Sequence, residues 1–330
     1  MLSRRCFVTA SASTGVASLL GASSATAPAQ TLTRTARLLV GFPAGGSLDV
    51  LARLLAENLK GYAPSMIVEN RPGAGGRIAL EALKIGEPNG SLLVLTPGDQ
   101  VTLFPHVYQK LNYAPLKDFI PVTTVCTFPF LLAVGPMVPG NVTTLAQFIE
   151  WCRTNPKLAT YGSPGAGTRP HFLGVALARD AGFEFVHLPY RGGALAMQDL
   201  LGGQIPATIS VFANAYPHVK SGSLRALAIT AQQRNQLLPD VPTAREAGYA
   251  AMEAVEWFGL FMPAKTPADI VAALHASVLQ ALNADAVKSG LASQSFDVAV
   301  MPQSDFITLI KADTERWAGI IKASGFKPID

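Results

Sequence analysis

Two short segments place glycines and hydroxyls where an apolar run hands over to a helical pattern. The first is Gly41-Phe42-Pro43-Ala44-Gly45-Gly46-Ser47-Leu48-Asp49, and the second is Gly162-Ser163-Pro164-Gly165-Ala166-Gly167-Thr168-Arg169-Pro170-His171. Glycines let the backbone turn sharply with no side chain in the way. The first-turn N–H groups of the helix that follows are unpaired and carry partial positive charge, so such a terminus takes an anion without needing a lysine. Ser47 and Thr168 serve there as helix caps or as hydroxyl donors to a ligand. Pro170 suits a first helical turn, where its missing N–H costs nothing. His171 reads either as a donor to an anion or as a residue that builds the helix start. Two facing termini can grip one carboxylate between them; the alternative is two ordinary strand-to-helix connections whose glycines serve packing. Asp49 would compete with an anion, but Arg53 stands at i,i+4 and neutralises it locally. Capping the helix is the reading preferred for Asp49 over direct contact with a ligand ammonium or hydroxyl.

Signatures of catalysis are missing from the sequence. Gly162-Ser163-Pro164-Gly165 lacks the spacing of a nucleophile elbow. No glycine-rich turn continues into Gly-Lys-Ser/Thr, and Gly73-Ala74-Gly75-Gly76-Arg77-Ile78 lacks the last glycine of a dinucleotide fingerprint. The five histidines are scattered without metal-ligand spacing. The chain therefore reads as a binding protein rather than an enzyme, with no cofactor and no metal.

The elements that position these turns follow from the apolar periodicity. Short β-rich runs alternate with amphipathic helical patterns, which predicts an α/β fold of parallel sheets covered by helices. Strands are expected at 36–42, 66–69, 92–95, 158–161, 185–188 and 205–211. Helices are expected at 47–60, around Ile78, Leu80 and Leu83, and at 144–154, 168–180 and 194–201. Prolines punctuate the apolar runs 122–125 and 130–134, where the chain is read as crossing from one lobe to the next. A second proline-rich passage, Pro239 to Pro267, marks the return crossing. Two long helices, 267–283 and 304–323, then pack on the first lobe, the last through Phe306, Leu309, Ile310, Trp317, Ile320 and Ile321. The organisation is thus an export signal at 1–29, lobe one at 30–128, lobe two at 129–228, and the return with C-terminal helices at 229–330.

The signal rests on Arg4-Arg5, an uncharged stretch to Ala22, and small-residue cleavage boxes at Ala25-Thr26-Ala27 and Ala27-Pro28-Ala29. Twin-arginine export and general secretion both remain open, and either sends the chain to the periplasm. The formal charge of +4 falls to about +2 once Arg4 and Arg5 leave, with no basic run, so no nucleic-acid partner is implied. Charged residues are 15% and hydrophobic ones 49% of the chain, which excludes disorder and supplies real cores. Cys126 and Cys152 remain after processing, as a disulfide or as two buried thiols. A monomer is expected.

Taken in order, these segments resemble the Bug family, the substrate-binding proteins of tripartite tricarboxylate transporters. The resemblance covers nearly all of the mature chain. Beyond the two turns it includes Val68-Glu69-Asn70-Arg71-Pro72-Gly73-Ala74-Gly75-Gly76, Pro189-Tyr190-Arg191-Gly192-Gly193, Asp199-Leu200-Leu201-Gly202-Gly203-Gln204, Pro239-Asp240-Val241-Pro242-Thr243 and Glu256-Trp257-Phe258-Gly259-Leu260. It implies a two-lobed periplasmic-binding-protein fold of the type II kind, two doubly wound domains closing on a ligand between them. It implies a small mono- or dicarboxylate, aliphatic or aromatic, handed to membrane transporter subunits; a sensory accessory or an enzyme on this scaffold are the alternatives. The implied ligand shell is Phe42, Ala44, Gly46, Ser47 and Asp49 from the first turn and Ser163, Ala166, Gly167, Thr168 and His171 from the second. Thr96, Pro97 and Asn214 join it from strand ends. The chain departs from the family pattern at Pro206, where aspartate is usual, in Thr208-Ile209-Ser210-Val211-Phe212, which lacks the second acid often found further along, and at Arg77, an added charge at a helix start where asparagine is frequent.

Overall fold

The computed structural model describes residues 32–330. The export signal and its cleavage boxes lie outside the described residues. In chain order the strands are β1 (Ala36–Val40), β2 (Met66–Asn70), β3 (Leu92–Pro97), β4 (Phe119–Val134), β5 (Thr160–Ser163), β6 (Val186–Pro189), β7 (Ala207–Val211), β8 (Arg225–Ile229), β9 (Val255–Pro263) and β10 (Asp297–Val298). Their lateral order is β2-β1-β3-β9-β4-β7-β5-β6, with β8 and β10 both paired to β4. The fold is α/β with two lobes. In one, β1 pairs in parallel with β2 and β3; in the other, β5 pairs in parallel with β6 and β7.

The crossing between them is one continuous strand. The 16 residues of β4 reach about 50 Å at ~3.3 Å per residue. Its first stretch, Phe119 to Pro129, pairs antiparallel with β9, and its last, Phe130 to Val134, with β7 and β8. Pro121 and Pro129 do not break it, although a proline cannot donate to a ladder; register shifts interrupt the β9 pairing between Pro121 and Thr123. The return is made by β9, which antiparallel pairing also joins to β3.

Several elements begin or end away from the expected positions. The run at 158–161 forms a strand only from Thr160, because Pro156–Leu158 takes a 3-10 turn. Ile78 is 44% exposed, and Ala79, Leu80 and Leu83 carry the buried face of helix Arg77–Lys84. Ile320 is exposed, while Phe306, Ile310, Trp317 and Ile321 bury the stripe of helix Gln303–Ala323. A helix at Phe212–Lys220, with Pro217 inside it, follows β7 directly and was not expected. Cys126 and Cys152 are both buried free thiols.

The second turn is fixed by close packing. Helix Arg169–Ala181 lies on β5 so closely that a Cβ on Gly174 would sit 2.1 Å from Tyr161 Cζ. The Tyr161 ring is fully buried, and its hydroxyl donates to the carbonyl of His171 at 2.7 Å. Glycine in a helix interior costs about 1 kcal/mol relative to alanine, but overpacking a rigid core costs about 1–3 kcal/mol. With three Tyr161 atoms inside 2.5 Å, the clash wins. Gly174→Ala is expected to destabilise the protein by about 2 kcal/mol net in urea denaturation; a gain in stability would mean that the helix stands off β5.

Candidate functional site: the interlobe cleft

The first turn is built around Asp49. Its Oδ2 accepts from the Gly45 amide at 3.0 Å and from Arg53 Nε at 3.0 Å, and its Oδ1 accepts from Arg53 Nη2 at 3.0 Å and Asn70 Nδ2 at 2.8 Å. Asn70 Nδ2 also donates to the Phe42 carbonyl at 3.1 Å. Asp49 therefore ties the turn to β2 rather than capping its helix, whose N-cap is Gly46 with no side-chain bond. Burial raises its carboxyl pKa, but the bonds from Arg53, Gly45 and Asn70 outweigh that, leaving it below the ordinary carboxylate value. The ion pair with Arg53 cancels the charge, as the spacing predicts.

Helix Ser47–Asn58 starts at the cleft. The Ser47 amide donates to Asn214 Oδ1 at 3.0 Å, a bond from one lobe to the other. The amides of Leu48 and Asp49, the Ser47 hydroxyl and Asn214 Nδ2 have no partner among the described residues. Each of these four residues lines a cavity of about 60 Å³ between the lobes. Gly46 lines it too, and a Cβ there would approach nothing closer than 3.7 Å.

The second turn is arranged differently. The Arg169 amide, the first N–H of helix Arg169–Ala181, donates to Asp99 Oδ2 at 2.8 Å. An internal carboxylate from the other lobe thus takes one of the helix-start amides expected to serve a ligand anion. Thr168 lines the cavity, but its hydroxyl donates to the Gly165 carbonyl at 2.8 Å and is not free to donate to a ligand. Gly167 donates its amide to His171 Nδ1 at 3.1 Å. His171 Nδ1 is therefore an acceptor that closes the turn and is not a donor to an anion. Gly167 itself has φ +74° and would place a Cβ 2.3 Å from Val107 Cγ1, so it serves packing.

Of the residues expected from sequence, the structure brings Phe42, Gly46, Ser47, Asp49, Pro97, Thr168 and Asn214 to the cavity wall. Ala44 is exposed outside it. Ser163 is fully buried behind it, bonded to Gly165 and His187. The Ala166 carbonyl accepts from Tyr108 Oη at 3.2 Å. Thr96 donates to Gln100 Oε1 at 3.2 Å and so orients Gln100, which does reach the wall. Arg77 stacks 3.7 Å from the Tyr108 ring centroid, away from the cavity.

Sequence reasoning missed Asp99, Glu256, Phe128, Phe130 and Phe258, all on the wall. Asp99 and Glu256 flank the guanidinium of Arg169, which is 2% exposed. Arg169 Nε lies 3.1 Å from Asp99 Oδ1 and 3.2 Å from Glu256 Oε2, and Nη2 lies 2.9 Å from Asp313 Oδ2. The two Nε contacts are close but not aligned as hydrogen bonds. Burial pushes the Glu256 carboxyl well above the carboxylate range against the pull of Arg169.

Residues 51–326 match the family described as TctC, tripartite tricarboxylate transporter family receptor. This chain belongs to that family. Protein BugT of Bordetella pertussis is 31% identical over 300 residues, covering 89% of this chain and 90% of BugT. Among solved structures, Rpa4515 of R. palustris with adipate is similar with a TM-score of 0.85 at 30% identity, covering 90% of this chain and 99% of that one. MatC from Rhodopseudomonas palustris with bound malate has a TM-score of 0.80 at 29% identity, covering 87% of this chain and 98% of that one.

The receptor's second turn also has a defined response to pH. The rings of His171 and His187 stack at 3.9 Å. Burial lowers His171 to about 4, and burial with the neighbouring His171 lowers His187 to about 3. Both are neutral when folded, while an unfolded histidine titrates near ~6.5. Stability is complete above about pH 6.5 and is lost as pH falls towards the folded pKa, by roughly 3 kcal/mol for His171. Histidine C–H resonances should show neither ring titrating above about pH 5; titration near 6.5 would mean solvated rings and an open turn.

Proposed function

We propose that the chain is an exported receptor that captures a small carboxylate between its lobes and delivers it to a tripartite transporter in the membrane. The observation that carries this is the group of uncommitted donors at one end of the cavity: the Leu48 and Asp49 amides, the Ser47 hydroxyl and Asn214 Nδ2. They converge from both lobes at a helix N-terminus, where a carboxylate is stabilised by hydrogen bonds and by the helix dipole together. Donors from both lobes also couple binding to closure, because a ligand that touches both favours the closed form over the open one. Adipate and malate in the related solved structures support the ligand class. The signal-like residues 1–29 support export to the periplasm. Among the described residues no single helix is long and apolar enough to cross a membrane. The reading is binding and release without chemical change of the ligand.

Ser47 Oγ bonds no group among the described residues, so removing it leaves the turn intact. A hydrogen bond to a charged group contributes about 1.5–3 kcal/mol. Ser47→Ala is therefore expected to weaken carboxylate binding by about tenfold or more in calorimetry, with an unchanged melting temperature. An unchanged affinity would move the carboxylate away from this turn.

A further inference from the structure

Apart from the four donors, most of the cavity wall is apolar. Its body is formed by Phe42, Phe128, Phe130 and Phe258, with Val211 and Pro97 beside them. The rings of Phe128 and Phe258 lie 4.2 Å apart by centroid, and those of Phe128 and Phe130 lie 5.8 Å apart. β4 and β9, the two crossing strands, supply three of these rings. Such a surface takes a ligand body without charge.

Charge on the cavity wall points the same way. No lysine, arginine or histidine is among the described residues on the wall, whereas Asp99 and Glu256 both are. The cation nearest to these acids, Arg169, already has three carboxylates within 3.2 Å. At the second helix terminus Asp99 holds the first amide, that of Arg169. A second carboxylate on the ligand would meet carboxyl groups already shared with Arg169 and no free cation to pair it.

We propose that this receptor takes a compact monocarboxylate whose remaining body is uncharged and apolar, a single aromatic ring or a short branched chain, and that it rejects dicarboxylates. The inference rests on the Ser47 turn being the carboxylate site. It sets this chain apart from the relatives solved with adipate and malate, each a dicarboxylate. Asp99 is the selectivity residue in this account: it occupies the first amide of the second helix and holds Arg169.

The test is calorimetry of the mature chain with matched probes. Benzoate and terephthalate differ by one carboxylate, isovalerate and valine by one ammonium, and adipate and malate represent the relatives' ligands. Benzoate or isovalerate should bind at least about tenfold tighter than terephthalate, adipate, malate or valine. Equal or tighter binding of any dicarboxylate, or of valine, would overturn the inference. If that binding is itself weakened by Ser47→Ala, the carboxylate site stands and only its selectivity is wrong. If no carboxylate binds, both readings fall. Asp99→Asn should raise terephthalate affinity relative to benzoate by about tenfold, and an unchanged ratio would remove Asp99 from selectivity. Should that variant not fold, the panel on the native chain still decides.

Discussion

The guanidinium of Arg169 sits among carboxylates delivered by three separate elements: Asp99 just after β3, Glu256 on β9 and Asp313 on the last helix. Arg169 itself begins a helix of the opposite lobe. Its Nη1 donates to the Val255 carbonyl at 2.6 Å, and Trp257 Nε1 donates to Asp313 at 2.9 Å. A buried set of this kind adds little net stability, because desolvation offsets most of the attraction. Removing one member typically costs ~3–5 kcal/mol by stranding the others. What the set supplies is geometry: it fixes how the second turn meets the first lobe and where the crossing strands sit.

That geometry makes the two turns unequal, although their sequences look alike. One helix start has its first amide held by Asp99 and is backed by two neutral histidines. The other keeps its Leu48 and Asp49 amides open because Asp49 turns its carboxylate back to Gly45, Arg53 and Asn70. The cleft wall thus divides into open polar donors and aromatic rings. A ligand with one charged end and one apolar end matches that division, and the bond from the Ser47 amide to Asn214 shows the lobes already meeting where the charged end would lie.

Much of this was legible in the chain because it is local. The strand–glycine–helix signature of each turn, the Asp49–Arg53 spacing, the alternation of strands and helices and the stripe of the last helix are all set by near neighbours. What escaped is long-range. Phe128 and Phe258 stand 130 residues apart in number and meet only because β4 and β9 pair across the hinge. In sequence their runs look like ordinary core. Asp99 and Glu256 lie outside the two turns, and nothing local links either to Arg169. Pro217 disguised helix Phe212–Lys220, which carries Asn214; Asn214 entered the reading only through family resemblance. Thr168 and His171 were placed correctly at a helix start, but which way a hydroxyl or ring nitrogen bonds depends on the folded turn.

The most direct measurement is a titration of the ¹⁵N-labelled mature chain with sodium benzoate, following backbone amide shifts. The account predicts the largest shifts at Leu48 and Asp49, whose amides are open, and little change at Arg169, whose amide Asp99 already holds. Large shifts at Arg169 with Leu48 and Asp49 unmoved would contradict it, because the ligand would then have displaced Asp99 and bound at the second turn.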